Sequence, residues 1–125
     1  GGFESNGTCE INGVAHITGG GIPEKIGRVL RRSGLGAHLD NLFDPPEIVS
    51  YCQKTGNISD HDAYRAWNMG QGMALITPEP DKVLAEAKKY GIGAQLAGEI
   101  TKQPGISLKS RGAESPDKEL SFQSG

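Results

Sequence analysis

A chain of 125 residues, with a formal charge of −2 and a pI near 5.9, has the length of one domain. It carries no surplus of cations for nucleic acid or an anionic membrane surface, and no apolar run approaches the roughly 18 residues of a membrane span. The polar N-terminus has no signal-peptide pattern, and Cys9 and Cys52 lack metal or redox spacing, so two free thiols in a cytoplasmic protein are expected.

Residues 1–9 lack periodicity and read as a flexible lead-in, with the domain expected over 10–125. After Glu10, Val14 to Ile17 forms a first strand that runs into Gly19-Gly20-Gly21. Pro23 then opens a helix to about Arg32, with Ile22, Ile26, Val29 and Leu30 recurring at core-facing spacing. Lys25, Arg28, Arg31 and Arg32 lie on the opposite side. A short strand follows at Ala37–Leu39. A second helix runs from Pro46 to about Lys54, with Ile48, Val49 and Cys52 as its apolar side and Gly56 as its stop.

Ser59 caps a third helix, with Asp62 at capping-box distance, and that helix ends near Trp67. Met73 to Thr77 is a buried strand, and Lys82 to Tyr90 a helix with Val83, Leu84 and Ala87 as its apolar stripe. Strands at Ala94–Ile100, Ile106–Lys109 and Glu119–Phe122 complete the chain, the last two separated by the polar loop Ser110 to Lys118. The order β-α-β-α-α-β-α-β-β-β neither alternates nor segregates, which favours an α+β fold with a mixed sheet.

The strongest site signal is the loop Thr18 to Gly21. Glycines there free the backbone for positive φ and keep side chains out of the way, while loop and helix N–H groups converge as they do around a phosphate. A tight turn without a ligand is the competing reading. The lysine–hydroxyl ending of a P-loop is absent, as is the glycine spacing of a dinucleotide fold. By strand alternation His16 shares a face with Val14 and Thr18, so it either reaches a ligand at the glycines or is a core histidine bonded to a carbonyl. His38 and His61 have no partners at metal-ligand spacing and read as surface residues, and no metal site is expected.

A second glycine-rich turn, Asn68-Met69-Gly70-Gln71-Gly72, mirrors the first. Asn68 offers either an amide to a ligand or a helix C-cap. Tyr64 and Trp67 read as core residues, with base stacking as the alternative for Trp67. The basic side of the first helix is either a solvated face or an attractor for phosphate. Cys52 reads as core, not as a nucleophile.

These residues carry a family resemblance. Ala15-His16-Ile17-Thr18-Gly19-Gly20-Gly21-Ile22-Pro23-Glu24, followed by Arg28-Val29-Leu30, resembles the signature of the AIR synthase (phosphoribosylformylglycinamidine cyclo-ligase) C-terminal domain. Asp40, Pro46-Glu47-Ile48, Gly56-Asn57-Ile58, Arg65 to Met73 and Gly98-Glu99-Ile100 match in the same order, so the likeness spans about Ile11 to Ile100. It departs at Lys25, where the family usually has Asn, and at Gly27, where it usually has Pro.

The resemblance implies a three-layer α/β/α sandwich with a mixed sheet, partly ferredoxin-like in topology. It implies one half of a ligase of purine biosynthesis, whose other half, absent from this sequence, holds ATP and Mg2+ and forms the dimer. This chain alone is expected to bind no cofactor and to be inactive. Its expected ligand is a phosphorylated ribose-type small molecule. Thr18, Gly19, Gly20, Gly21, Glu24, Asn68 and Gly70 would bind substrate or phosphate, and His16 would be the catalytic residue. The ATP-binding domain would act in trans or within a longer chain, and a homodimer is a further expectation. A stand-alone phosphometabolite-binding or partner-docking module is the alternative.

Overall fold

The computed structural model describes residues 10–123, so the expected lead-in and Cys9 lie outside the described residues. The elements follow the expected order: β1 (Gly13–His16), α1 (Gly21–Leu30), β2 (Gly36–Leu39), α2 (Glu47–Thr55), α3 (Asp60–Ala66), β3 (Met73–Ile76), α4 (Pro80–Lys89), β4 (Gly98–Thr101), β5 (Gly105–Lys109) and β6 (Glu119–Phe122). Among the described residues the fold is mixed α+β, with four helices and two sheets.

β1 and β3 form an antiparallel ribbon in which Val14 faces Leu75 and His16 faces Met73; β3 is not the buried strand expected, because only one face of this two-stranded ribbon is covered and Met73 and Leu75 lie on the other. The other sheet has the order β4-β2-β5-β6 and is mixed: β2 runs parallel to β5, and its other pairings are antiparallel. Residues 102–104 carry the chain from β4 to β5 across the end of β2. They pass so close that a Cβ on Gly36 would collide with the carbonyls of Gln103 and Gly105.

α1 packs against α3, β1 and β5. It starts two residues earlier than expected, at Gly21, so Pro23 takes the third helical position, where a missing N–H is still harmless. Its buried stripe is Ile22, Ile26 and Leu30, as the spacing predicts, but Gly27 takes the inner place and Val29 lies on the flank against Gly13. The core joins these residues to Ala15, Ile17, Ala37, Leu39, Tyr64, Met69, Ile106, Leu108, Leu120 and Phe122.

α2 departs from expectation. Ile48 and Cys52 are exposed, Val49 is half-buried, and the fully buried residue is Gln53. The reason is polar satisfaction: Gln53 donates to the Ile58 carbonyl and to Asp60 and accepts from the Ala113 N–H, an anchorage no apolar side chain could make. The α4 stripe is only half-buried. α3 is capped as predicted, with the Asp62 N–H donating to Ser59 Oγ at 3.2 Å.

Candidate functional site

The two glycine-rich turns meet because β1 and β3 pair. The ladder continues past its last pair through Ile17 N–H to the Gly72 carbonyl at 3.0 Å, setting Thr18 beside the 68–72 turn. Within the first turn, Gly21 N–H donates to the Thr18 carbonyl at 2.9 Å. Gly20 and Gly21 adopt φ of 93° and 65°. Gly21 is needed twice over, since a Cβ there would also collide with the Tyr64 carbonyl in the last turn of α3. The positive end of α1 thereby meets the carbonyl end of α3, an arrangement of dipoles that favours the contact. The Gly19 and Gly20 N–H groups find no acceptor among the described residues.

In the second turn the left-handed residues are Met69 and Gly70, with φ of 53° and 92°. Trp67, not Asn68, caps α3, in an extended conformation, so the C-cap reading of Asn68 is replaced by a local turn: its Oδ1 accepts the Gly70 N–H at 2.9 Å. Gly70 lies beneath the Asp44 carbonyl, 2.7 Å from where a Cβ would stand. Buried Gln71 locks this turn to the neighbouring segment. It accepts from the Phe43 N–H at 3.0 Å and donates to the carbonyls of Phe43 and Met69 at 2.9 and 2.8 Å.

Between the turns and α2 lies a cavity of about 400 Å³. Thr18 and Gly19 form one wall, Ile48, Val49 and Cys52 the α2 wall, and Trp67 and Asn68 the third. Trp67 is half-buried here, and Tyr64 is fully buried in the core as expected. Cys52, expected in the core, instead brings an exposed thiol to the cavity because α2 turns Gln53 inward.

His16 is exposed on the outer face of β1 with Val14, so the core reading of this histidine does not hold. With Thr18, Lys25 and Arg28 it lines a second cavity of about 310 Å³ on the other side of the loop. Glu24 stands between the two helix cations. Its Oε1 accepts from Arg28 Nη2 at 3.0 Å and lies 3.9 Å from Lys25 Nζ, and its carboxylate covers the place a Cβ would occupy on Gly20. Thr18, Gly19 and Asn68 therefore share one cavity, and His16 and Thr18 the other. Gly21 and Gly70 are occupied in close backbone packing.

Sequence reasoning missed Asp60. It is 1% exposed, and its carboxylate accepts from Gln53 Nε2 at 2.7 Å, Ser110 Oγ at 2.6 Å, and the N–H groups of Glu114 and Ser115 at 3.0 and 2.9 Å. Burial opposes its ionisation, but those hydrogen bonds outweigh burial and hold the carboxyl below its ordinary value. Beside it, burial pushes the Tyr64 hydroxyl up, and that hydroxyl accepts from the Arg111 N–H at 2.9 Å. The segment expected as a plain polar loop, 110–118, is thus fastened to α2 and α3.

Neither of the other histidines is a free surface group. His38 Nδ1 meets Ser107 Oγ at 2.7 Å across the β2–β5 pair, and the His61 ring stacks on Phe122 at 4.4 Å. Among the described residues, no group of three His, Cys, Asp or Glu side chains is placed to hold a metal ion, and no helix is long and apolar enough to cross a membrane.

The chain is thus a mixed α+β domain in which a strand-to-helix glycine turn borders a cavity. The model of the family "AIR synthase related protein, C-terminal domain" matches residues 4–111, and the chain belongs to that family. Among curated proteins it is similar to phosphoribosylformylglycinamidine cyclo-ligases. The likeness is 40% identity over 94 residues to that of Geotalea uraniireducens (74% of this chain, 27% of that protein) and 41% over 97 residues to that of Magnetococcus marinus (75% and 27%). That of Methanosarcina acetivorans is 38% identical over 101 residues (81% and 28%). The chain therefore spans less than a third of the length of these relatives.

Proposed function

We propose that this chain is the substrate-binding domain of an AIR-synthase-like cyclo-ligase of purine biosynthesis, acting in the cytoplasm. The observation that supports this reading best is the meeting of the two glycine-rich turns around the cavity of about 400 Å³. A ribose phosphate would enter with its phosphate on the Gly19 and Gly20 N–H groups and the Thr18 hydroxyl, where those free donors and the α1 dipole favour an anion, while Gly21, its N–H bonded to the Thr18 carbonyl, shapes the turn. Glu24 would leave Gly20 as the phosphate arrives and accept a ligand hydroxyl. Asn68, held by its bond to Gly70, would present its amide to the polar body of the ligand, beside the Trp67 face. His16, on the far side of Thr18, would exchange a proton with the reacting group.

In this reading, ATP and Mg2+ are held by the remainder of a complete enzyme, in the same chain or in trans, and supply the phosphoryl group that activates the substrate oxygen. This chain alone binds neither and turns nothing over. The reading includes the three-layer α/β/α sandwich and partly ferredoxin-like topology of a complete domain.

A second reading, a module that docks on a partner or pairs as a homodimer, draws on one observation. The outer face of the β1–β3 ribbon exposes Val14, Met73 and Leu75, at 51%, 61% and 41%.

Titration of the chain with D-ribose 5-phosphate, followed by amide NMR, tests the first reading. Shifts at Gly19, Gly20 and Gly21 and at the Trp67 indole are expected. Shifts confined to other residues, or none, would remove it.

A further inference from the structure

We propose that the open edge of β3 pairs with the same edge of a second copy of this chain, antiparallel and about a two-fold axis at Leu75. The pairing rests on the homodimer reading and gives it a defined seam. It does not depend on the ligand assigned to the cavity beside Trp67.

The ladder hydrogen bonds fix which way the β3 backbone faces. Ile17 N–H donates to the Gly72 carbonyl and Asn12 N–H to the Ile76 carbonyl, so Gly72, Ala74 and Ile76 turn their polar groups toward β1. Met73, Leu75 and Thr77 turn theirs the other way. Those N–H and C=O groups find no partner among the described residues, where β1 is the only strand paired with β3. α4 follows in the chain but is not packed closely against β3, and Met73 and Leu75 stay exposed.

This edge is also undefended. Each of the other five strands carries an ionisable side chain: His16, His38, Glu99, Lys109 or Glu119. The β1 edge has Lys25 and Arg28 beside it as well. Charges of this kind keep sheet edges from associating, and β3, Met-Ala-Leu-Ile, has none. A two-stranded ribbon is marginal by itself, and further strands stabilise it.

A second copy of the same strand is the occupant that fits. With Leu75 on the axis, Leu75 pairs with itself and Met73 with Thr77 of the other copy, so the outward N–H and C=O groups of all three residues gain partners. Val14 stands opposite Leu75 within each ribbon, so the outer face acquires an unbroken apolar row, Val14, Leu75, Leu75 and Val14, across four strands. Charges do not oppose it. The first charged residue beyond β3 is Glu79, which accepts from Lys82 Nζ at 3.0 Å, and the antiparallel pairing puts the two copies of Glu79 at opposite ends of the seam. So short a seam buries less than the roughly 1,000 Å² of a stable interface, and the dimer is therefore weak and concentration-dependent.

Sedimentation equilibrium of the full chain from about 10 µM to 1 mM, with amide exchange measured at both ends of that range, tests the pairing. The dimer fraction is expected to rise with concentration. Exchange at the Leu75 amide should slow at least about fivefold in the dimer, while exchange at Val14 on the far edge stays unchanged. Leu75→Lys and Leu75→Glu alter an exposed side chain, and each should weaken association at least about tenfold. Their equimolar mixture should restore it, because residue 75 faces itself, and restoration also shows that both variants fold. A mixture that stays monomeric would overturn the seam. A dimer that survives Leu75→Lys, or that leaves Leu75 exchange unchanged, would overturn the seam and keep a homodimer through another face. A wild-type chain that is monomeric throughout the range would remove both.

Discussion

Ser110 and Asp60, 50 residues apart, are joined by a buried hydrogen bond of 2.6 Å, in which the hydroxyl donates to the carboxylate. The same carboxylate gathers Gln53 from α2 and two N–H groups of the 110–118 segment. Asp60 is thus the hub that fixes the C-terminal hairpin to the helices bordering the candidate site. Asp60→Ala would leave four donors without their acceptor, and a loss of about 3 kcal/mol is expected in urea unfolding. A loss under 1 kcal/mol would show that the segment holds without the hub.

The same carboxylate sets an acid limit. Its folded-state pKa lies below the ordinary 3.8, so the unfolded chain binds the proton first as pH falls. Its stabilisation is complete above the unfolded value and disappears as pH drops through the lower, folded value. Unfolding free energy measured from pH 5 to pH 2 should fall through this window in the wild type. Asp60→Asn should flatten part of that slope, and identical slopes would exclude Asp60 as a contributor.

Gly21→Ala combines a φ of 65° with a collision against the Tyr64 carbonyl. A destabilisation of about 2 kcal/mol or more is expected, with amide shifts spreading into the last turn of α3. Retained stability with unmoved Tyr64 and Trp67 signals would contradict the close packing of α1 on α3.

Gln71→Leu removes the side chain that holds both backbone groups of Phe43 and leaves them unsatisfied in a part-buried place. A loss of about 2 kcal/mol is expected. Hydrogen exchange at the Phe43 amide should quicken, and an unchanged rate would show that the 43–45 segment is held by other contacts.

Cys52 and Trp67 line the same cavity, and Trp67 is the chain's single tryptophan. In a Cys9→Ser variant, iodoacetamide should alkylate the exposed Cys52 and change the Trp67 emission. D-ribose 5-phosphate should slow the reaction, and equal rates with and without it would place the ligand elsewhere.

The element order was legible because each helix carries its own punctuation. Ser59 ahead of α3, Gly56 behind α2 and the glycines ahead of α1 are local signals, and local hydrogen bonds realise them. The meeting of the two glycine turns was legible through the family resemblance, not through spacing. Gln53 and Asp60 were not legible, since their buried places depend on each other and on partners at 110–115, and no local pattern records the distant ones. The exposure of Cys52 follows from the same fact, because turning Gln53 inward turns the thiol outward. His38 escaped in the same way, its partner Ser107 being 69 residues distant.

The three-residue crossing from β4 to β5 above Gly36 has a consequence for synthesis on the ribosome. β2 pairs only with those two strands, so it has no sheet neighbour until residues 98–109 have emerged. β5 and β6 can close as a local hairpin, whereas β2 must wait while most of the chain is made, and then enter between strands that a short link already holds together. Nascent chains halted before β4 would therefore carry a strand with both edges open, the species that a chaperone or a neighbouring nascent chain would find first.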